Sequence, residues 1–183
     1  RTYVEYTSST GGTSSNVTYD ATGAGNTVTS GSDSVNITWS HTATGGSNTI
    51  VVVALMVGGV SASYTTFTRT ATYDGASMTS LSAFDGNPNN GWIEFFYLLD
   101  PPSGAKTVSV TVSKASTSFG RVTANSFSYT NATGIELSGT GTIGSTATSL
   151  TLTPDVNVES EAVGGMYFGM SSVDTSSTIT QFT

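Results

Sequence analysis

Residues 49–57 read Thr49-Ile50-Val51-Val52-Val53-Ala54-Leu55-Met56-Val57, with no polar side chain after the first position. Val and Ile carry two heavy atoms on Cβ, which costs them rotamer freedom in a helix and suits a pleated strand. The apolar stretch from Ile50 to Val57 has the length of a strand, far short of the roughly 20 residues of a membrane-spanning helix. Gly45-Gly46-Ser47-Asn48 precedes it as a turn, and Gly58-Gly59 ends or bulges it. Without alternation, both of its faces need apolar neighbours, so it reads as the central strand of a sheet covered on both sides.

The segments around it alternate. Val35, Ile37, Trp39 and His41 interleave with Asn36, Thr38 and Ser40, and Val108, Val110 and Val112 interleave with hydroxyls in Lys106–Ser113. This period of two marks strands with one buried face. Tyr64–Tyr73 alternates and runs into Asp74-Gly75, a hairpin signal. Ser77–Phe84 carries Met78, Leu81 and Phe84; Trp92–Leu99 is a second apolar strand after the turn cluster Asp85–Gly91. Asp100-Pro101-Pro102-Ser103-Gly104 stops it. Arg121–Tyr129 alternates through Val122, Ala124, Phe127 and Tyr129 with a slip near Asn125, and Ser149–Thr153 and Ala162–Met170 supply further strands.

Composition agrees. The 183 residues include 34 Thr and 29 Ser against seven Leu and two Lys, and 9% are charged, where about 25% is ordinary. The usual surface helix formers are scarce. The expected fold is all-β, a two-layer antiparallel β-sandwich of ten to twelve strands, jelly-roll-like, with immunoglobulin-like topology as the alternative. The expected core holds Trp39, Val51, Val53, Leu55, Phe67, Leu81, Ile93, Phe95, Tyr97, Val108, Val110 and Phe127. Thr and Ser at the alternate positions form the outer faces.

Thr2, Tyr3, Val4, Glu5 and Tyr6 read as a short strand, followed by the Ser/Thr/Gly linker Ser8–Asn16. Residues 1–15 are therefore an arm, able to fold back on its own sheet or to add to a neighbour's, and residues 16–183 one sandwich domain. The start at Arg1 suggests a processed or truncated end, and Gln181-Phe182-Thr183 an interrupted strand that continues further.

A net charge of −7, with the five cations scattered along the chain, argues against nucleic acid as a partner, because phosphate contacts need clustered Lys and Arg. The absence of Cys removes disulfides and thiolate metal sites. No catalytic residues and no cofactor are expected. His41 is the only imidazole; without a Gly-x-Ser-x-Gly elbow it reads as a strand-end residue at a turn. Glu94, Asp100 and Glu136 are the carboxylates on or beside strands that a glycosidase pair would draw on, and Glu94, inside an apolar strand, either faces solvent or is buried with a partner. Asp85, Asn87 and Asn89 repeat the oxygen spacing that opens calcium loops, but with one charge among them. Lys106 and Lys114 are the candidates for a Lys–Asn cross-link. Asn16, Asn36 and Asn131 open glycosylation sequons, as many as so much Ser and Thr produces by chance. Trp39 and Trp92 would have to be exposed together to stack a sugar.

Two segments carry a resemblance. Thr72-Tyr73-Asp74-Gly75-Ala76-Ser77-Met78-Thr79-Ser80-Leu81 is one; Trp92–Leu99 with Pro101-Pro102-Ser103-Gly104-Ala105-Lys106-Thr107-Val108-Ser109-Val110 is the other. With the strand that precedes them, they resemble β-sandwich modules of bacteriophage structural proteins and secreted bacterial surface proteins, over about Trp39–Ser113. These motifs are structural, so no functional residue carries over. The resemblance implies display on a virion surface or outside a cell, and nothing sharper. The expected partners are other virion or surface proteins and copies of the same chain, with a glycan as the lesser candidate; no membrane is expected, the longest apolar run being the eight residues Ile50–Val57.

Overall fold

A computed structural model of the chain describes residues 2–5, 17–29, 32–60, 63–87, 91–116, 119–140, 165–168 and 179–182. The strands are β1 (Thr2–Glu5), β2 (Thr18–Thr22), β3 (Asn26–Val28), β4 (Ser34–Ala43), β5 (Thr49–Gly58), β6 (Thr68–Tyr73), β7 (Ala76–Ser77), β8 (Thr79–Asn87), β9 (Gly91–Leu99), β10 (Gly104–Ser113), β11 (Arg121–Thr130), β12 (Glu136–Thr140), β13 (Gly165–Phe168) and β14 (Ile179–Phe182). The fold is an all-β sandwich of two packed antiparallel sheets.

One sheet runs β4-β10-β6-β7 and the other β2-β11-β5-β9-β8, with β3 also on β11. Four pairings nest inside one another: β2 with β11, β4 with β10, β5 with β9, and β6 with β7. Successive nested pairs fall in alternate sheets. One long folded-back ribbon rolled into two layers gives that order, the jelly roll. The innermost turn is Asp74-Gly75, both with positive φ (52° and 81°), as a two-residue hairpin of the primed type needs.

β5 pairs with β11 on one side and β9 on the other, and every residue from Thr49 to Val57 is buried. Val51, Val53, Leu55 and Val57 enter the core between the sheets, with Ile37, Trp39, Tyr73, Trp92, Val108 and Val110. Ile50, Val52, Ala54 and Met56 form a second apolar layer on the other face, with Ile93, Phe95, Phe127 and Tyr129. The expected core is thus divided: Ile93, Phe95 and Phe127 lie in that second layer, and Leu81 and Tyr97 are half-buried beside it. On the four-stranded sheet, Ser34, Asn36, Thr38, Ser40 and Thr42 of β4 face out, and Asn36 Nδ2 donates to Ser109 Oγ (3.0 Å) and Thr111 Oγ1 (2.7 Å) across the ladder.

Two expectations need correction. Tyr64–Tyr73 is not a continuous strand: Tyr64–Thr66 is a 3-10 turn, and the strand starts at Thr68. The Thr66 hydroxyl and amide both donate to Ser63 O, at 2.9 and 3.1 Å, a local bonding that favours turns. The slip near Asn125 is a change of apolar face and not a break in the β5–β11 ladder, whose register is unbroken, although the β2–β11 ladder shifts between Ser128 and Tyr129. Phe127 and Tyr129 face the second layer, and Ser126 and Ser128 between them face the inter-sheet core, fully buried. The strands β2, β3 and β12 carry no apolar alternation and are visible only in the fold. Residues 149–153 lie outside the described residues.

Candidate functional site

Along β4 the inward positions are Val35, Ile37, Trp39, His41 and Ala43. Along β11 they are Val122, Ala124, Ser126 and Ser128. Both strands change from apolar to polar at the same end of the sandwich, so polar side chains meet across the core. Trp39 Nε1 donates to Ser126 Oγ (2.8 Å), and Ser126 Oγ lies 2.9 Å from His41 Nδ1. His41 Nε2 lies 3.0 Å from Ser128 Oγ, which donates to Asp20 Oδ2 on β2 (2.7 Å). Thr44 completes the carboxylate's shell, its hydroxyl donating to Oδ1 (2.6 Å) and its amide to Oδ2 (2.9 Å).

The direction of each bond follows. A carboxylate only accepts, so Ser128 gives its proton to Asp20 and its oxygen accepts from His41 Nε2. With the proton of a neutral imidazole on Nε2, Nδ1 accepts from the Ser126 hydroxyl, whose oxygen accepts from the Trp39 N–H. Every donor points towards Asp20. Burial holds the His41 pKa down at about 4, against a smaller upward pull from Asp20, so the ring is neutral at neutral pH. Burial pushes Asp20 up, but the bonds from Thr44 and Ser128 and the nearby His41 outweigh it, and its pKa lies below the ordinary value. Tyr73, edge-on to His41 at 6.1 Å, belongs to the same neighbourhood.

His41 is therefore not a strand-end residue at a turn: it lies within β4, 1% exposed, joining two sheets. The set contains Ser, His and Asp, but the carboxylate holds a serine and not the imidazole, unlike a nucleophilic triad. Ser126, the hydroxyl directed at the imidazole, is 0% exposed. Gly23 seals it: its N–H donates to Ser126 O (2.8 Å), and a Cβ there would stand 2.3 Å from Ser126 Oγ and 3.0 Å from His41 Nδ1. That oxygen is closed to solvent.

A second polar bridge lies six residues away along β10, which pairs Lys106 with His41 and Val112 with Arg69. Glu94 of β9 is buried with a partner: Arg69 Nε donates to Oε2 (2.6 Å) and Ser80 Oγ to Oε1 (2.8 Å). Arg69 Nη1 also donates to the carbonyls of Tyr64 and Phe67. The guanidinium lies 5.2 Å from the Tyr64 ring centre and 5.7 Å from that of Trp92. Both oxygens of Glu94 are thus engaged, so it does not form a carboxylate pair with Asp100, whose Oδ1 accepts from Asn48 N (2.8 Å) in a loop.

The other expected residues are dispersed. Thr2, Tyr3, Val4 and Glu5 form β1, which pairs antiparallel with β12 of the same chain; Tyr6 lies outside the described residues. Asp85 and Asn87 end β8 opposite Trp92 and Gly91, and Asn89 lies outside the described residues. Among the described residues no three His, Cys, Asp or Glu side chains cluster as metal ligands, and no helix is long and apolar enough to cross a membrane. Lys106 pairs with Asp74 (3.0 Å) and Lys114 donates to Thr66 Oγ1 (2.9 Å), so neither is set against an Asn. Trp39 and Trp92 are 7% and 0% exposed and build no sugar platform.

Asp20, Gly23, Ser126 and Ser128 escaped the sequence reading. The only signal was Ser at both inward positions of the Ser126-Phe127-Ser128-Tyr129 stretch, which an abundance of Ser hides. In comparisons with known proteins, no family model, no curated protein and no solved structure matches the chain.

Proposed function

We propose that the chain is a non-enzymatic structural module displayed on the outside of a bacteriophage particle, as a capsid decoration or a tail or fibre element. The observation that carries this reading is the sealed inter-sheet chain from Trp39 to Asp20. The groups best suited to chemistry are spent on joining two sheets, and Gly23 closes the one hydroxyl directed at the imidazole. The jelly-roll order supports it by analogy, since viral capsid proteins use that architecture; so do lectins, and fold alone does not choose between them. The buried Trp pair weighs against the carbohydrate-binding reading. An acidic, Lys-poor chain suits an outer surface better than a genome-lined interior.

The chain assembles through repeated surface contacts and strand pairing, with other virion proteins and its own copies as partners. A secreted adhesin or filament subunit using the same strand pairing is the second reading, favoured by the extended β1 at the chain's start. Assembly of the full chain and of a variant lacking residues 1–15, followed by electron microscopy and light scattering, tests these. A regular array or particle decoration that is lost with the arm supports the proposal, and a helical filament selects the second reading. Unchanged assembly without the arm removes the arm's role. A full chain that stays monomeric at every concentration and binds no particle overturns both.

A further inference from the structure

β1 and β12 pair with each other and, among the described residues, with no strand of the two sandwich sheets. The nested pairings of the jelly roll are complete without them. An isolated two-stranded ribbon is marginal in water, so this one depends on its neighbours: β1 lies beside β13, and β12 beside β8. Its own bond is the register Thr2–Thr140, Tyr3–Gly139 and Glu5–Glu136. The twelve positions between β1 and β2, residues 6–17, are mostly Ser, Thr and Gly, and twelve residues of any chain span at most about 40 Å.

We infer that, in the assembled state, β1 of one copy pairs with β12 of the next in this same register. The inference rests on the assembly reading above and names its partner, a second copy of the chain, and its acceptor, the edge of β12. Three facts carry it. The ladder bonds are identical within and between copies, so exchange gives up no backbone contact, the condition for low-cost strand swapping. The swapped element shares no ladder with the sandwich, so the sandwich stays intact while it leaves. In the folded chain only residues 6–17 tie β1 to the sandwich, and a neighbour held in an array presents an equivalent β12 edge at high local concentration.

The test uses a chain that has no native Cys. Thr2→Cys copies carrying a mass tag are mixed with untagged Thr140→Cys copies, co-assembled and oxidised, and run on a non-reducing gel. A disulfide joining a tagged to an untagged copy, stronger than with the off-register Ser138→Cys partner, is the expected result. The Thr2→Cys/Thr140→Cys double variant should then give a ladder of linked copies when assembled and single chains when diluted before oxidation. Assembly with only single-chain disulfides in the double variant and no mixed product overturns the inference and leaves the assembly reading standing. Absence of assembly at any concentration overturns both.

Discussion

His41 of β4 and Ser126 of β11 meet across the core at 2.9 Å, each from a different sheet, where the other inward positions of the two strands carry Val, Ile and Ala apart from Trp39 and Ser128. A buried polar pair is tolerated only when every donor and acceptor has a partner. Here the requirement is met by running the bonds in one direction from an indole to a carboxylate. The consequences are measurable.

Ser126→Ala removes the acceptor of Trp39 Nε1 and the donor to His41 Nδ1 at once. Two buried groups lose their partners, and the expected loss is about 3 kcal/mol in urea unfolding. Ser128→Ala breaks the link to Asp20, and because the two serines share His41, the losses in the double variant should not add. Additive losses would show that the two halves act independently.

Stability should fall on mild acidification because of His41. Its pKa falls from 6.5 to about 4 on folding, so between those values the unfolded chain binds a proton that the folded chain refuses. Stability is therefore undiminished above pH 6.5 and is lost as the pH drops towards 4, with about 1.4 kcal/mol per pH unit and about 3 kcal/mol in all. Asp20 works in a lower window: its depressed pKa gives stability that is present above 3.8 and lost below it. His41→Gln should abolish the slope between pH 6.5 and 4 and leave the Asp20 loss below pH 3.8. An unchanged slope in that variant would assign the effect to another group.

Glu94→Gln leaves Arg69 with no counter-ion in a largely buried site. Removing one member of a buried pair typically costs about 3–5 kcal/mol, and the 19% exposure of Arg69 places the expectation at the lower end, about 3 kcal/mol. Arg69→Met with Glu94→Leu should recover most of it. A double variant as unstable as the single one would mean that shape, not charge, fixes this corner.

Gly23→Ala drives a methyl group into Ser126 Oγ and Trp39 Nε1, at 2.3 and 2.9 Å. The expected cost is about 2 kcal/mol, with Trp39 fluorescence reporting the displacement. Gly134→Ala, where nothing lies within 4 Å, should be neutral to within about 0.5 kcal/mol. Equal effects at both sites would show that backbone freedom, and not the closed site, sets the cost.

The sandwich and the line of its central strand are written in runs of consecutive residues. Thr49–Val57 has no polar face, the Val108-Val110-Val112 alternation has one, and chain stiffness at Val, Ile and Thr excludes long helices, all local properties of consecutive residues. Glu94 was visible as an anomaly because one charge stands out in an apolar run. Which partner neutralises it was not visible, since Arg69 lies 25 positions away and on the other sheet. His41 was misread because its partners Ser126 and Ser128 are two of many serines, and their burial depends on β4 and β11 facing each other. The nested order, the division of the apolar residues into two layers and the sealed chain to Asp20 were decided by tertiary structure alone. Each is a relation between strands far apart in sequence, and no local pattern records which strand will lie opposite.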